Sequence, residues 1–199
     1  MAQAQVNPTR MELTRLKKKL VTATRGHKLL KDKRDELMRQ FLDLARENMA
    51  LRRKVEAGIQ SANRNFVIAK AGMSEETLHT ALMASKQEVY LEASQKNVMS
   101  VDIPVFQYKT RTADENDIYS YGFAFTSCDL DDAVKSLADI LPDMLQLAQT
   151  EKACQLLASE IEKTRRRVNA LEHVIIPQTQ QSIKYITMKL DENERSTQI

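Results

Sequence analysis

Glycine and proline are scarce, with four of each in 199 residues; tryptophan is absent and aromatics make up 5%. A sheet-rich globule needs turn residues and large packing side chains, so this composition argues against one. Two cysteines, Cys128 and Cys154, have neither metal nor redox spacing, and His27, His79 and His173 are too scattered to form a ligand cluster. A reduced, intracellular chain is the expectation. The N-terminus lacks the apolar core of a signal peptide, and no run approaches the roughly 20 apolar residues that span a bilayer. The expectation is a soluble chain with no membrane insertion. Catalytic motifs are missing too: no G-x-x-x-x-G-K-[ST] loop, no Gly-rich dinucleotide turn, no G-x-S-x-G elbow and no H-E-x-x-H pair. The carboxylates of Asp129, Asp131 and Asp132 open a helix, where the dipole accounts for them. No catalytic residue, metal ligand or cofactor-binding residue is expected in this chain.

What the sequence does have is period. From about Thr9 to Ala71 one heptad set runs Leu13, Leu20, His27, Arg34, Phe41, Asn48, Val55, Ala62, and the other Leu16, Ala23, Leu30, Leu37, Leu44, Leu51, Gly58, Asn65. Sixty-odd residues at about 1.5 Å rise form a rod on the order of 90 Å long. Its apolar stripe is narrow, so a helix of comparable length must cover it. The cover comes from a second rod that begins near Asp129, kinks near Pro142 and keeps the seam through Met144, Leu147, Cys154, Leu157, Ile161, Thr164, Val168, Leu171 and Ile175. After Pro177 the pattern resumes at Ile183, Ile186 and Leu190, one position out of phase. Cys154 on this seam reads as a small buried hydrophobe. The fold class is therefore all-α dominated: a long antiparallel coiled-coil hairpin with both termini at one tip.

Within the first rod, Asn7-Pro8 reads as its opening cap. Gly26 reads as a packing glycine, because mid-helix glycine costs about 1 kcal/mol unless a neighbour approaches closely. His27 and Arg34 either fix register on the seam or snorkel outward; the pattern leaves both open. From Gly58 to Asn65 the stripe thins to small residues, so the rod is expected to part from its partner or admit another chain. Three segments follow: residues 1–71, a middle region 72–128, and 129–199. The middle reads as a short helix, 74–86, then a β-hairpin over about 88–127. Val89 and Leu91 alternate with polar neighbours in its first strand, although helix continuing to Ser94 is a rival reading. Val98 to Lys109 and the polar loop TRTADEND form an irregular connection, and Tyr119, Tyr121, Phe123 and Phe125 line one face of the second strand. That row is an expected contact surface.

Charge is unevenly spread. Residues 9–40 hold eleven Lys or Arg against four Asp or Glu, whereas residues 71–160 hold six against fifteen. Such polarity points to two different partner surfaces. The exposed cations are the candidate contacts at the basic end: Arg10, Lys17, Lys18, Lys19, Lys28 and Lys31 on the first rod, and Arg165, Arg166 and Arg167 on the second.

Four segments in order, NPTRMELTRLKKKLVTATRGHKLLKDKRDEL, KNVMSVDIPVF, TSCDLDDAV and RRRVNALEHVIIPQ, carry a resemblance over nearly the whole chain. Together they resemble the D subunit of the V-type (vacuolar and archaeal/bacterial A/V-type) rotary ATPases. The resemblance implies a non-catalytic central-stalk rotor subunit on the cytoplasmic side of a membrane, in a complex that couples ATP hydrolysis or synthesis to H+ or Na+ transport. It implies that the paired helices enter a hexamer of catalytic A and noncatalytic B subunits, which would hold the ATP and Mg2+. The small F subunit of the stalk would bind its lower part, with Val89, Leu91, Tyr119, Tyr121, Phe123 and Phe125 as the candidate contacts, and a funnel-shaped subunit would join the stalk to the membrane rotor ring. Beside the family pattern, the chain ends at STQI while still reading as helix, so its second rod is expected to be cut short. A static coiled-coil tether is the alternative reading. A basic arm binding nucleic acid is the weaker one, because no aromatics interleave the basic stretch.

Overall fold

The computed structural model describes residues 7–122 and 126–197. In order it contains α1 (Arg10–Gly72), α2 (Glu75–Leu82), β1 (Val89–Val98), β2 (Val101–Thr110), a 3-10 turn (Glu115–Ile118), α3 (Cys128–Ala170), a π turn (Leu171–Ile175) and α4 (Ile176–Thr197). The all-α dominated helical hairpin with a small antiparallel β-hairpin is thus the observed fold class. The chain divides into two compact units: residues 1–39 with 158–199, and residues 40–157.

In the first unit the start of α1 lies antiparallel to the end of α3 and to α4. Arg10 Nη2 donates to Glu194 Oε1 at 2.6 Å, His27 Nε2 lies 3.4 Å from Glu172 Oε2, and Lys33 Nζ donates to Glu160 Oε1 at 3.4 Å. The first turn of α1 and the last turns of α4 therefore lie side by side. Ala23, Leu37, Ile161, Thr164, Val168, Thr179 and Ile186 are buried along this pair. The helix opens one step later than expected. Thr9, not Asn7, is the cap: its Oγ1 accepts from the Glu12 N–H at 3.3 Å, while Asn7 contributes its carbonyl to the Thr9 N–H.

Gly26 does not do what mid-helix glycine was expected to do. A Cβ there would meet nothing within 4 Å, so no neighbour compensates for the missing methyl. Gly26→Ala should then raise stability by about 0.5–1 kcal/mol, since only the backbone entropy of glycine is removed; chemical denaturation reads this directly, and a loss would show an unrecognised close contact.

In the second unit the rest of α1 pairs antiparallel with the first part of α3. Asn48 Nδ2 donates to Thr150 Oγ1 at 3.4 Å, Gln146 Nε2 to Glu47 Oε1 at 3.2 Å, and Lys54 Nζ to Asp143 Oδ1 at 2.9 Å. The stretch expected to part is instead closely packed. A Cβ on Gly58 would stand 2.5 Å from Ile140 Cδ1 and 2.7 Å from Cγ1, and Ala62 and Ala69 are buried below it. Small residues here bring the helices together. α3 runs on through Pro142. Between Leu147 and Leu157 it is Thr150 and Ala153 that are buried, while Met144, expected on the seam, faces outward.

At the foot, Ala69, Leu78, Ala81 and Leu130 form a core against which Phe66, Met73, Tyr121 and Val134 pack. Ser74 caps α2 by accepting from the Thr77 N–H at 3.2 Å. The helix ends at Leu82 rather than 86, because Met83 N–H turns back to Thr80 and the residues beyond serve the loop: Lys86 Nζ meets Asp117 Oδ1 at 2.6 Å and Gln87 bonds Thr112.

The hairpin is shorter than expected and its second strand is elsewhere. β1 and β2 join through Met99 and Ser100 alone, both with positive φ (52° and 71°), the backbone of a primed two-residue turn. Val98 pairs with Val101, and Val89 with Thr110. Asn97 supports the turn by accepting from the Ser100 N–H at 3.2 Å. Pro104 costs the ladder nothing. Phe106 N–H points away from β1 to Gln149 Oε1 at 2.8 Å, and Pro104, two residues earlier, turns its nitrogen to the same outer edge. Residues 119–122 are not strand. Phe123 and Phe125 lie outside the described residues.

Candidate interaction surfaces

The proposed seam residues face inward in each unit. Leu37, Val55, Leu157, Ile161 and Val168 are buried; Leu13, Leu16, Leu20, Leu30, Phe41, Leu44, Leu51, Leu171 and Ile175 are half-buried, as the thin stripe of a two-helix pair dictates. The two polar seam positions behave differently. His27 reaches across to Glu172, whereas Arg34 folds onto its own helix and grips Asp35 Oδ1 through Nη2 at 2.7 Å and Nε at 3.0 Å. Cys154 is half-buried beside Phe41, Asn48 and Met49. Burial first, then the charges of Glu151 and Glu47, push its thiol up, which disfavours the thiolate a nucleophile needs.

The candidate cations form an outer surface of the first unit. Arg10, Lys17, Lys18, Lys19, Lys28, Lys31, Arg165, Arg166 and Arg167 are all exposed. By helical spacing, residues 10, 17, 28 and 31 share one face of α1. Arg10 pairs with Glu194 and Arg166 Nη2 with Glu162 Oε1 at 2.6 Å, each between exposed side chains and so worth about 0–1 kcal/mol. These cations are held loosely by their own chain.

The second candidate surface is split by the structure. Val89 and Leu91 are exposed on β1, together with Tyr90 and, opposite Leu91, Tyr108. Tyr119 and Tyr121 are not part of that ribbon. They stack edge to face with centroids 6.2 Å apart, and Tyr121 packs on the foot core while its hydroxyl donates to Asp131 Oδ1 at 2.8 Å. Burial, followed by that carboxylate, raises the Tyr121 phenol above its ordinary value, so it stays a donor. Tyr121 is thus a packing residue of the foot, tying the loop to α3. Asp117 anchors the same loop: the Lys86 ammonium holds its carboxyl below the usual range, with Thr112 assisting.

One surface escaped the sequence reading. Leu42 and Met49 are exposed on α1, and Met49 lines an open groove together with Ala45, Cys154 and Gln155. They sit one position past the seam, where apolar residues blend into the heptad pattern. Among the described residues no group of His, Cys, Asp and Glu is arranged to hold a metal ion, and no helix is long and apolar enough to cross a membrane.

Comparison with known proteins accounts for this architecture. The family model of the ATP synthase D subunit matches residues 12–199. The V-type ATP synthase D subunit of Acetivibrio thermocellus is 63% identical over 195 residues, covering 98% of this chain and 88% of that protein. Its namesake from Clostridioides difficile is 58% identical over 197 residues, covering 99% of this chain and 88% of the relative. A third, from Clostridium botulinum strain Alaska E43, is 57% identical over 197 residues, with 98% and 92% covered. With a heptad-paired helical hairpin, exposed cations at one end and a family match that leaves out only the first eleven residues, the chain belongs to the family of ATP synthase D subunits.

Proposed function

We propose that this central-stalk subunit of a V-type ATPase is the rotor shaft, transmitting rotation between ATP turnover in a hexamer of catalytic A and noncatalytic B subunits and ion transport by a membrane ring. The observation that carries the reading is the paired helical seam clothed in exposed, loosely held cations. A seam gives stiffness and an asymmetric outline, which lets one shaft contact three catalytic interfaces differently and link each ATP state to an angle. Exchangeable surface contacts of about 0–1 kcal/mol each let the shaft turn without sticking. ATP and Mg2+ belong to the partner subunits in this reading. The first unit enters the hexamer; the exposed ribbon residues Val89 and Leu91 and the foot face the small F subunit and the funnel-shaped subunit, on the cytoplasmic side of the membrane. A static tether would use the same seam without turnover-dependent contacts.

The test replaces Lys17, Lys18, Lys19, Lys28 and Lys31 by Gln. All five are exposed and off the seam, so helix content and melting should be unchanged, and binding of the lower-stalk partner should persist. Affinity for the hexamer should fall roughly tenfold to a hundredfold, from five contacts of about 0.5 kcal/mol. The difference from wild type should shrink as salt rises, because salt already screens the wild-type contacts. Wild-type hexamer affinity that ignores both the substitutions and salt would favour the tether, and robust salt-dependent nucleic-acid binding with no hexamer interaction would overturn the rotor.

A further inference from the structure

The second helix carries one residue more than its seam can use, and the backbone shows where that residue goes. Ile161, Thr164 and Val168 are buried at steps of three and four. Continued without interruption, those steps would bring Gln178 and Tyr185 inward. Both are exposed, and their C-terminal neighbours Thr179 and Ile186 are buried instead, Ile186 completely. The slip falls within the π turn at Leu171–Ile175, where the Ile176 N–H reaches back five residues to the Leu171 carbonyl. A single wide turn of this kind takes up one extra residue while the α-helix on either side keeps its face. Its middle residues Glu172, His173 and Val174 are exposed, Leu171 and Ile175 at its two ends are half-buried on the seam, and Glu172 carries the contact to His27, so Val174 is a residue of the turn with no place on the seam. Pro177 lies just past the turn and has no N–H to return to it. Thr179 Oγ1 donates back to the Ile175 carbonyl at 2.6 Å, one turn earlier, where regular helix resumes.

We infer that the π turn is a built-in phase corrector: it absorbs one surplus residue so that Thr179 and Ile186 of α4 meet the start of α1, with Arg10 and Glu194 paired at the chain ends. Regular α-helix throughout would turn α4 by about 100° and expose both. The inference concerns the helix pair itself and stands whether or not the shaft rotates.

It predicts an unusual asymmetry between losing and gaining a residue at one place. Deletion of Val174, exposed and off the seam, should convert the turn to α-helix and leave the melting temperature within about 2 °C of wild type. Insertion of one Ala after Val174 exceeds what a single π turn absorbs and should lower it by on the order of 10 °C. Spin labels at positions 10 and 194 in the full chain should keep their short separation in the deletion and lose it in the insertion. Equal losses for the two variants, no loss for either, or separated ends in the deletion would each overturn the inference.

Discussion

Leu157→Ala and Leu37→Ala each lower the free energy of unfolding by about 2–5 kcal/mol, measured by urea denaturation with an unchanged slope. Both side chains have 0% exposure, one in each unit. Truncation removes the transfer free energy of three carbons and leaves a hole that stiff neighbouring helices close poorly, which is why the range reaches its upper end in well-packed cores. Leu42→Ala supplies the contrast, since Leu42 is 48% exposed and should stay within about 0.5 kcal/mol of wild type. If the buried and exposed leucines cost the same, the seam assigned to α1 is wrong.

Gly58→Val ranks second, at about 3 kcal/mol of destabilisation. The first carbon of any side chain there would enter space held by Ile140, and Ile140 is itself buried, with 9% exposure. Valine adds two further methyls, and the Ile140 side chain must leave its packed position to make room for them. The gain in helix propensity, under about 1 kcal/mol, does not offset this. Ile140→Ala in the same chain should relieve the clash, so the double variant loses less than the sum of the single ones by about 0.5–3 kcal/mol. Strict additivity would mean that the two positions do not touch.

The long periodic elements were legible from the residues alone because burial repeats at the helical period; α1 from Arg10 to Gly72 departs from the expected span by one residue at each end. The two glycines were not, because periodicity says where a side chain points and nothing of how near its neighbour comes. The heptad sets include Gly58 and leave out Gly26, which gives the side each one faces, but only the structure shows Ile140 close against Gly58 and nothing against Gly26. The hairpin was misplaced for a reason of local chemistry. Met99-Ser100 carries none of the Asn-Gly or Asp-Gly signature that positive φ usually demands, so the turn was invisible, and Val98 to Lys109 read as an irregular connection where most of it is β2. Tyr119 and Tyr121 then looked like strand, although Tyr121 is held by Leu130 and its neighbours in the foot and by Asp131. Of the candidate surfaces, the exposure of the cations was legible from charge and spacing, whereas the exposure of Leu42 and Met49 depends on how far the second helix wraps, which no single-helix pattern contains.

The polar contacts inside the helix pairs bear on sliding. A stripe of leucines offers nearly the same burial after each displacement of seven residues, about 10.5 Å along the axis, so leucine alone would leave a shaft free to settle into several positions under load. Asn48 and Thr150 interrupt that degeneracy in one unit, and Lys33 with Glu160 does so in the other. Displacement by a heptad takes the half-buried Asn48 amide from its partner, at a cost of about 1 kcal/mol, while the Thr150 hydroxyl keeps its bond to the Leu147 carbonyl of its own helix. These pairs act as detents: they mark one axial position among several that the leucines alone would leave nearly equal.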